Sequence, residues 1–253
     1  MGGVRRFLGK EIVELLRTWR LPVIGGVVLF FALTGPVLAL LTPELLKSMQ
    51  SSQPGVIIQV PEPIWRDAYA QWIKNLTQVV AFVTIIAAAG SVAGEVASGT
   101  AVLVLTKPVS RGGFVVAKVI ALFALVSSPV LLGTLLTQGV TYIVFGEAPW
   151  APLWEPTLVW LVFAALLVAI SVLLSSTVKT LAAAGIGVGV FFMLSLAAIW
   201  GPAVRFSPAG LTVAPARMLL GETVAVGWPL LTTAVGAIAV VALAAVLFAR
   251  REL

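Results

Sequence analysis

Residues 94–118 read GEVASGTAVLVLTKPVSRGGFVVAK and lie between two long apolar segments of the chain. Glu95 closes the apolar segment that precedes this loop, and Lys107, Arg111 and Lys118 open the segment that follows it. Basic residues gather in no other internal loop in this way. The pattern indicates a chain that crosses a membrane and presents a cationic loop on one side of it.

A short helix is predicted inside this loop. Residues 101–105 form an apolar patch, and Lys107 and Pro108 follow it. Because a proline disfavours helix at the residue before it, we predict a helix over about 99–106, a break, and a new helix from about Gly113. Such an element favours docking of a soluble partner, although a solvated turn between two membrane spans explains the spacing equally well.

Ten residues of the loop form a recognisable pattern: Glu95, Gly99, Thr100, Leu103, Leu105, Pro108, Ser110, Arg111, Phe114 and Lys118. The pattern resembles the cytoplasmic loop of type 2 ATP-binding-cassette (ABC) exporter permeases. In that family an acidic residue closes the second span, and a Gly-Thr and a leucine pair form the coupling helix. A Pro-x-Ser-Arg turn then leads into the third span. Family members often carry several charges just before the Gly-Thr, whereas this chain has only Glu95 there.

The resemblance implies a partner for the loop. A cytoplasmic ATPase would dock on eight of its residues, namely Gly99, Thr100, Leu103, Leu105, Lys107, Pro108, Ser110 and Arg111. Glu95 and Lys118 would take part in charge pairing at the loop, with Glu95 either binding a basic residue or capping the helix. A second permease, identical or a paralogue, would complete the pore. ATP and magnesium would be bound by the ATPase and not by this chain.

Composition alone assigns the chain to the membrane proteins. Of its 253 residues, 60% are hydrophobic and 10% are charged, whereas soluble domains are about half apolar and about a quarter charged. The chain contains no Cys and no His, which excludes disulfides, thiol or imidazole metal sites and histidine-based catalysis. The net charge of +6 does not indicate nucleic acid, because the charges lie at the ends of the apolar segments.

Six segments without charged residues follow one another, and each holds at least ~20 residues, enough for the ~30 Å of a bilayer core. They cover residues 21–43, 75–94, 119–146, 156–178, 180–204 and 223–249. We therefore predict an all-α integral membrane protein with six transmembrane helices and one permease domain over 1–253. Pro129 lies within the third segment and predicts a bend there.

The first twenty residues predict an amphipathic helix. Apolar residues at Val4, Leu8, Ile12 and Leu15 have helical spacing. The basic residues of this segment are Arg5, Arg6, Lys10, Arg17 and Arg20. A basic helix of this kind suits an anionic membrane surface, and in the resembled family the equivalent segment is an elbow helix beside the ATPase. An ordinary juxtamembrane anchor is the alternative.

The basic residues also predict orientation. They concentrate in the N-terminal segment, the 94–118 loop and the C-terminus, so both termini should be cytoplasmic. The first outer loop, 43–74, is the longest, and its Trp65, Tyr69, Trp72 and Ile73 share one helical face that fits an interfacial helix or an outer gate. The outer loop 201–227 would carry short helices that dip back into the membrane if it follows the family, or would be a simple loop.

Absent motifs limit the chemistry. The sequence has no phosphate-binding loop and no nucleophile elbow, so the chain should not hydrolyse ATP itself. Polar residues within the spans would line a path for an amphiphile or simply bond neighbouring backbone: Thr77, Gln78, Thr84, Thr137, Gln138, Thr141 and Ser195.

Three functions are compatible with this reading. The leading one is the permease subunit of an ABC exporter in the cell membrane. The alternative is a mechanotransducer that passes ATPase motion to an extracytoplasmic partner at the long first outer loop, without moving a solute. An intramembrane enzyme is the third, and it lacks the usual nucleophile–base pairs and metal ligands.

Overall fold

The computed structural model describes residues 2–50, 61–100 and 110–250, with side chains from 7–46 in the first range. Every regular element in these ranges is helical. In chain order they are α1 (Gly2–Arg17), α2 (Arg20–Gln50), α3 (Trp65–Asn75), one π-helical turn (Leu76–Val80), α4 (Ala81–Ala89), α5 (Ala93–Ala97), α6 (Arg111–Phe145), α7 (Ala151–Thr177), α8 (Thr180–Ala197), α9 (Gly201–Phe206), α10 (Gly210–Leu219) and α11 (Gly227–Ala249).

Six helical stretches of the described ranges are long and apolar enough to cross a membrane, which confirms the all-α architecture with six spans. They are Arg20–Leu46, Trp65–Ala97, Arg111–Phe145, Ala151–Thr177, Thr180–Ala197 and Gly227–Ala249. The third span runs without interruption through Pro129, and the bend predicted there stays a prediction.

The centre of the bundle is α7. Its sequence is apolar on all sides, as expected of a helix that is surrounded by other helices. Trp160, Phe163 and Val168 are fully buried along it, and it packs against α4, α6, α8, α10 and α11.

The fifth span is shorter than predicted. It ends at Ala197 instead of continuing to Val204, because Gly201 and Pro202 begin the separate helix α9. Proline favours the first turn of a helix, where its missing N–H would have no partner in any case. The segment 201–227 is therefore not a simple loop: α9 is followed by α10, which buries Leu211, Ala214 and Leu219.

Helix α3 packs into the bundle by its aromatic face. Tyr69, Trp72 and Ile73 are almost completely buried, and the Tyr69 hydroxyl donates to the carbonyl oxygen of Pro149 at 3.1 Å. A glycine makes room for the indole, since a Cβ at Gly133 would lie 2.7 Å from Cη2 of Trp72. The predicted helix is thus present, and its position at the membrane interface stays a prediction.

Only part of the predicted apolar stripe of α1 is buried against the bundle. Phe7, Glu11 and Leu15 are buried at intervals of four residues, and this face packs on α6. Leu16, at the edge of this face, and Trp19, which follows the helix, are 52% and 58% exposed. The helix is thus built into the bundle by one face, and the elbow role on the membrane surface stays a prediction for the other.

Candidate functional site

The second span is interrupted just before the loop. Helix α4 ends at Ala89, and a turn separates it from α5. The break leaves two backbone N–H groups without a helical acceptor, and Ser175 of α7 supplies one: its Oγ accepts from the amides of Val92 and Ala93, each at 3.0 Å. Because buried amides need a partner, this serine ties the start of the loop to the fourth span.

A buried ion cluster, formed by Glu11, Glu95 and Lys118, lies beside this break. Lys118 Nζ donates to Glu11 Oε2 at 2.5 Å and also binds Glu95 Oε1. The side chains of Lys118, Glu11 and Glu95 are 4%, 1% and 15% exposed. The cluster joins three helices that are far apart in sequence, namely α1, α5 and α6.

Negative charge exceeds positive charge within the ion cluster, because two carboxylates share one ammonium group. Lys10 adds a more distant contact, with its Nζ 3.8 Å from Glu11 Oε1. Within the described part of the chain, Glu11 Oε1 and Glu95 Oε2 are buried without a hydrogen-bond partner. Since a buried charge is costly unless it is paired, loss of the lysine would leave the two acids uncompensated.

Lys10 is mainly bound to a different acid at the surface of α1. Its Nζ lies 2.7 Å from Glu14 Oε2, and this hydrogen bond lowers the pKa of the Glu14 carboxyl. Burial lowers the pKa of Lys10, but the hydrogen bond and charge of Glu14 outweigh burial and raise it overall. Both groups stay charged at neutral pH.

Three stacked aromatic rings support the ion cluster. Phe114 of α6 stacks on Phe7 of α1 and on Phe248 of α11, with centroid distances of 5.4 Å and 5.2 Å. Lys118 Nζ lies 5.4 Å from the Phe114 centroid, within the range of a cation–π contact. The stack fixes the end of α11 against the same part of α6.

The side chain of Ser110 caps the start of the third span. Ser110 Oγ accepts from the amide of Gly113 at 3.0 Å, so the helix starts at Arg111 and not at about Gly113. This cap satisfies one of the free amides of the first turn. Arg111 Nη1 donates to the carbonyl oxygen of Ala249 at 3.1 Å, which joins the start of α6 to the end of α11.

Several predicted docking residues can be placed only in part. Gly99 has a φ of 72° and follows the last turn of α5, while the Thr100 hydroxyl lies 2.6 Å from the Ser98 hydroxyl. Leu103, Leu105, Lys107 and Pro108 lie outside the described residues, and so do the side chains of Arg5 and Arg6. Arg17 is exposed, and Arg20 lies near the Gly90 turn.

Glu95 and Lys118 are in contact, as their proposed pairing requires, but sequence reasoning missed Glu11 and Ser175. A signal for Glu11 was present, because this acid stands four residues after Phe7 and four before Leu15, on an apolar stripe of α1. Ser175 offered no such signal. It accepts hydrogen bonds from a break in another helix, and only the packing of the two helices brings them together.

A second feature is an open cavity of about 430 Å³ between the second span, the fifth span and α10. Its lining combines hydroxyl, amide and aromatic groups: Thr77, Gln78, Phe82, Phe191, Phe192, Ser195, Thr212 and Val213. The π-helical turn carries Thr77 and Gln78, and such turns are frequent at functional sites. The phenylalanines contact one another, with centroids of Phe82 and Phe191 5.1 Å apart.

The other polar residues predicted within the spans lie away from this cavity. Thr84 and Thr141 donate to their own helices at 2.7 Å. Gln138 donates to Ala148 O and accepts from Trp154 Nε1 at 2.8 Å. Thr137 is buried away from the cavity lining. Of the predicted set, Thr77, Gln78 and Ser195 are therefore the residues that line the cavity.

In the described ranges, no three or more His, Cys, Asp or Glu side chains come together in a way that could hold a metal ion. The model of a family described as "ABC-2 family transporter protein" matches residues 7–253. Among curated proteins, none matches the chain.

Proposed function

The chain belongs to the ABC-2 transporter family and is a membrane permease subunit, and on that premise we propose that it exports an amphiphilic or small substrate. A separate cytoplasmic ATPase would dock on the 94–118 loop and supply the energy. The observation that carries this proposal is the buried ion cluster, because it connects the loop to the bundle through α1 and α6.

Motion of the loop would reach the spans through fixed contacts. Glu95 stands at the end of the second span, and Lys118 holds it to the third span and to α1. Ser175 holds the same turn to the fourth span. A push from the ATPase would therefore move these helices together, as expected of rigid-body rocking between inward-open and outward-open states.

Charge distribution supports a cytoplasmic location for this end of the bundle. The end of the bundle that holds the ion cluster also carries most of the nearby basic residues, namely Lys10, Arg20, Arg111, Lys118 and Arg250. We call this part of the molecule the basic end. Cytoplasmic segments of membrane proteins carry an excess of Lys and Arg, so the basic end would face the ATPase, and both termini would be cytoplasmic.

The open cavity would accept the substrate, and a second permease copy or a paralogue would cover it. Gln78 is exposed on the isolated chain although it lies within a membrane span. An amide that faces lipid tails lacks hydrogen-bond partners. A facing subunit with polar groups or water in the interface would satisfy it, and the phenylalanine rings would contact the apolar part of the substrate.

Replacing Leu103 and Leu105 with Asp is expected to reduce co-purification of the ATPase by at least about tenfold, because two interface anchors would become charged. The L220D/A225D variant is the matched control, since it adds the same charge at two exposed positions in another loop. Unchanged complex formation by L103D/L105D would contradict docking on this loop. Loss of the complex in both variants would point to misfolding.

Replacing Ser195 with Trp is expected to lower ATP-dependent dye export by about tenfold or more, because the indole would fill the cavity. The measurement is uptake of amphiphilic fluorescent dyes into inside-out vesicles that contain permease and ATPase. Leu132→Trp is the control, because Leu132 is 61% exposed and does not line the cavity. Equal export by the two variants would show that the cavity is not on the substrate path.

A further inference from the structure

An apolar groove of about 480 Å³ runs along the outside of the bundle between α6, α7 and α11. It is lined only by aliphatic and aromatic side chains: Val116, Val119, Ile120 and Phe123 of α6, Ala165 and Ala169 of α7, and Ala237, Ile238, Val241, Ala242 and Ala245 of α11. Alanines form much of it, and their short side chains leave the space that larger residues would fill. The groove is separate from the cavity described above and shares no residue with it.

The dimensions of the groove match one leaflet of a bilayer. Residues 237–245 extend about 12 Å along a helix axis, and half of a ~30 Å hydrocarbon core is about 15 Å. The groove opens outward, since Ile120 and Ile238 at its edges are 47% and 71% exposed. In a membrane, this opening would face lipid tails.

One end of the groove carries positive charge. A Cβ at Gly112 would lie 3.6 Å from the Cβ of Ala245, so α6 and α11 are in close contact at this end. Just beyond it, Arg111 donates to the carbonyl oxygen of Ala249, and the next residue is the exposed Arg250. The Arg111 guanidinium thus stands where the apolar lining stops, and Arg250 directly follows the residue that it contacts.

We propose that this groove binds one acyl chain of an anionic phospholipid, whose headgroup phosphate lies at Arg111 and Arg250. The apolar lining excludes a polar occupant, the length selects a chain from a single leaflet, and the arginines select a negative headgroup. Arginine is well suited to phosphate, because its planar group donates two parallel hydrogen bonds. The bound lipid would brace the third span against the sixth.

The test measures lipids retained by the purified full-length chain, by native mass spectrometry after equal loading with phosphatidylglycerol and phosphatidylcholine of identical acyl chains. The wild type is expected to retain phosphatidylglycerol preferentially. Each arginine near an anionic headgroup is worth about fivefold in binding, so R111Q/R250Q should lose most of this preference while it retains phosphatidylcholine unchanged. About 1 M salt should weaken the preference of the wild type in the same way.

A second variant tests the groove itself. Ala165→Phe would fill it and should reduce retention of both lipids, whereas Leu158→Phe, 53% exposed on the same helix, should not. The proposal fails if R111Q/R250Q keeps the preference, which would leave Arg111 as a simple helix cap. It also fails if A165F retains lipid normally, or if A165F alters only the oligomeric state, which would make the groove a contact with a second copy.

Discussion

Replacing Lys118 with Met is expected to destabilise the permease by about 3–5 kcal/mol, the usual cost of removing one partner from a buried ion pair. Two carboxylates would remain in a place where Glu11 is 1% exposed and Glu95 is 15% exposed. At Glu11, too little of the side chain is exposed for water to solvate the charge. Thermal unfolding of the purified protein in detergent, followed by near-ultraviolet circular dichroism, measures the effect.

Two control variants distinguish the effect of breaking the buried ion pairs from the effect of losing any lysine. Lys10→Met removes the same charge from a side chain that is 47% exposed, and exposed ion pairs contribute only about 0–1 kcal/mol. The triple variant E11Q/E95Q/K118M removes all three charges and should recover much of the stability, because an uncharged replacement of a buried pair is often neutral. If K118M unfolds at the same temperature as K10M, the ion cluster has no structural role.

Replacing Gly210 with Ala is expected to cost about 3 kcal/mol, near the upper end of the range for overpacking. A Cβ at this position would overlap the carbonyl oxygen of Val204 and lie 3.0 Å from Cγ of Pro229. A backbone oxygen cannot rotate away as a side chain can. Helix α9 would therefore have to separate from α10, which is packed against α7 and α11.

Gly201→Ala is the matched control for this prediction. Gly201 begins the neighbouring helix α9, and a Cβ there would have no neighbour within 4 Å. The substitution should change stability by no more than about 0.5 kcal/mol, as surface changes usually do. Equal melting temperatures for G210A and G201A would contradict the close approach of the two short helices.

The six spans could be predicted because bilayer thickness fixes the length of a charge-free helix, and the sequence marks each end with charge or proline. The ends of these spans were less predictable. The charge-free third segment starts after Lys118, but the helix begins two turns earlier, at Arg111. A lysine is tolerated there because Glu11 and Glu95 neutralise its charge. These partners are 107 and 23 residues away, so the sequence around Lys118 could not predict them.

The aromatic residues illustrate the same limit. Tyr69 and Trp72 have the spacing of an interfacial belt, and composition cannot distinguish that belt from a buried face. The outcome was decided by Gly133, more than sixty residues further along the chain, whose missing side chain admits the indole of Trp72. In the same way, the spacing of Thr77, Gln78 and Ser195 does not indicate that they share a cavity, because the π-helical turn sets which way the first two face.

The two hydrogen bonds of Ser175 attach the start of the loop to the fourth span. Val92 and Ala93 belong by sequence to the second span, yet their amides are fastened to the fourth, and the chain between α4 and α5 is a turn. If the loop is displaced at residue 95, these hydrogen bonds would carry part of the displacement to α7. The turn between α4 and α5 would then act as a hinge, and movement of the loop would be passed to the fourth span as well as to the second.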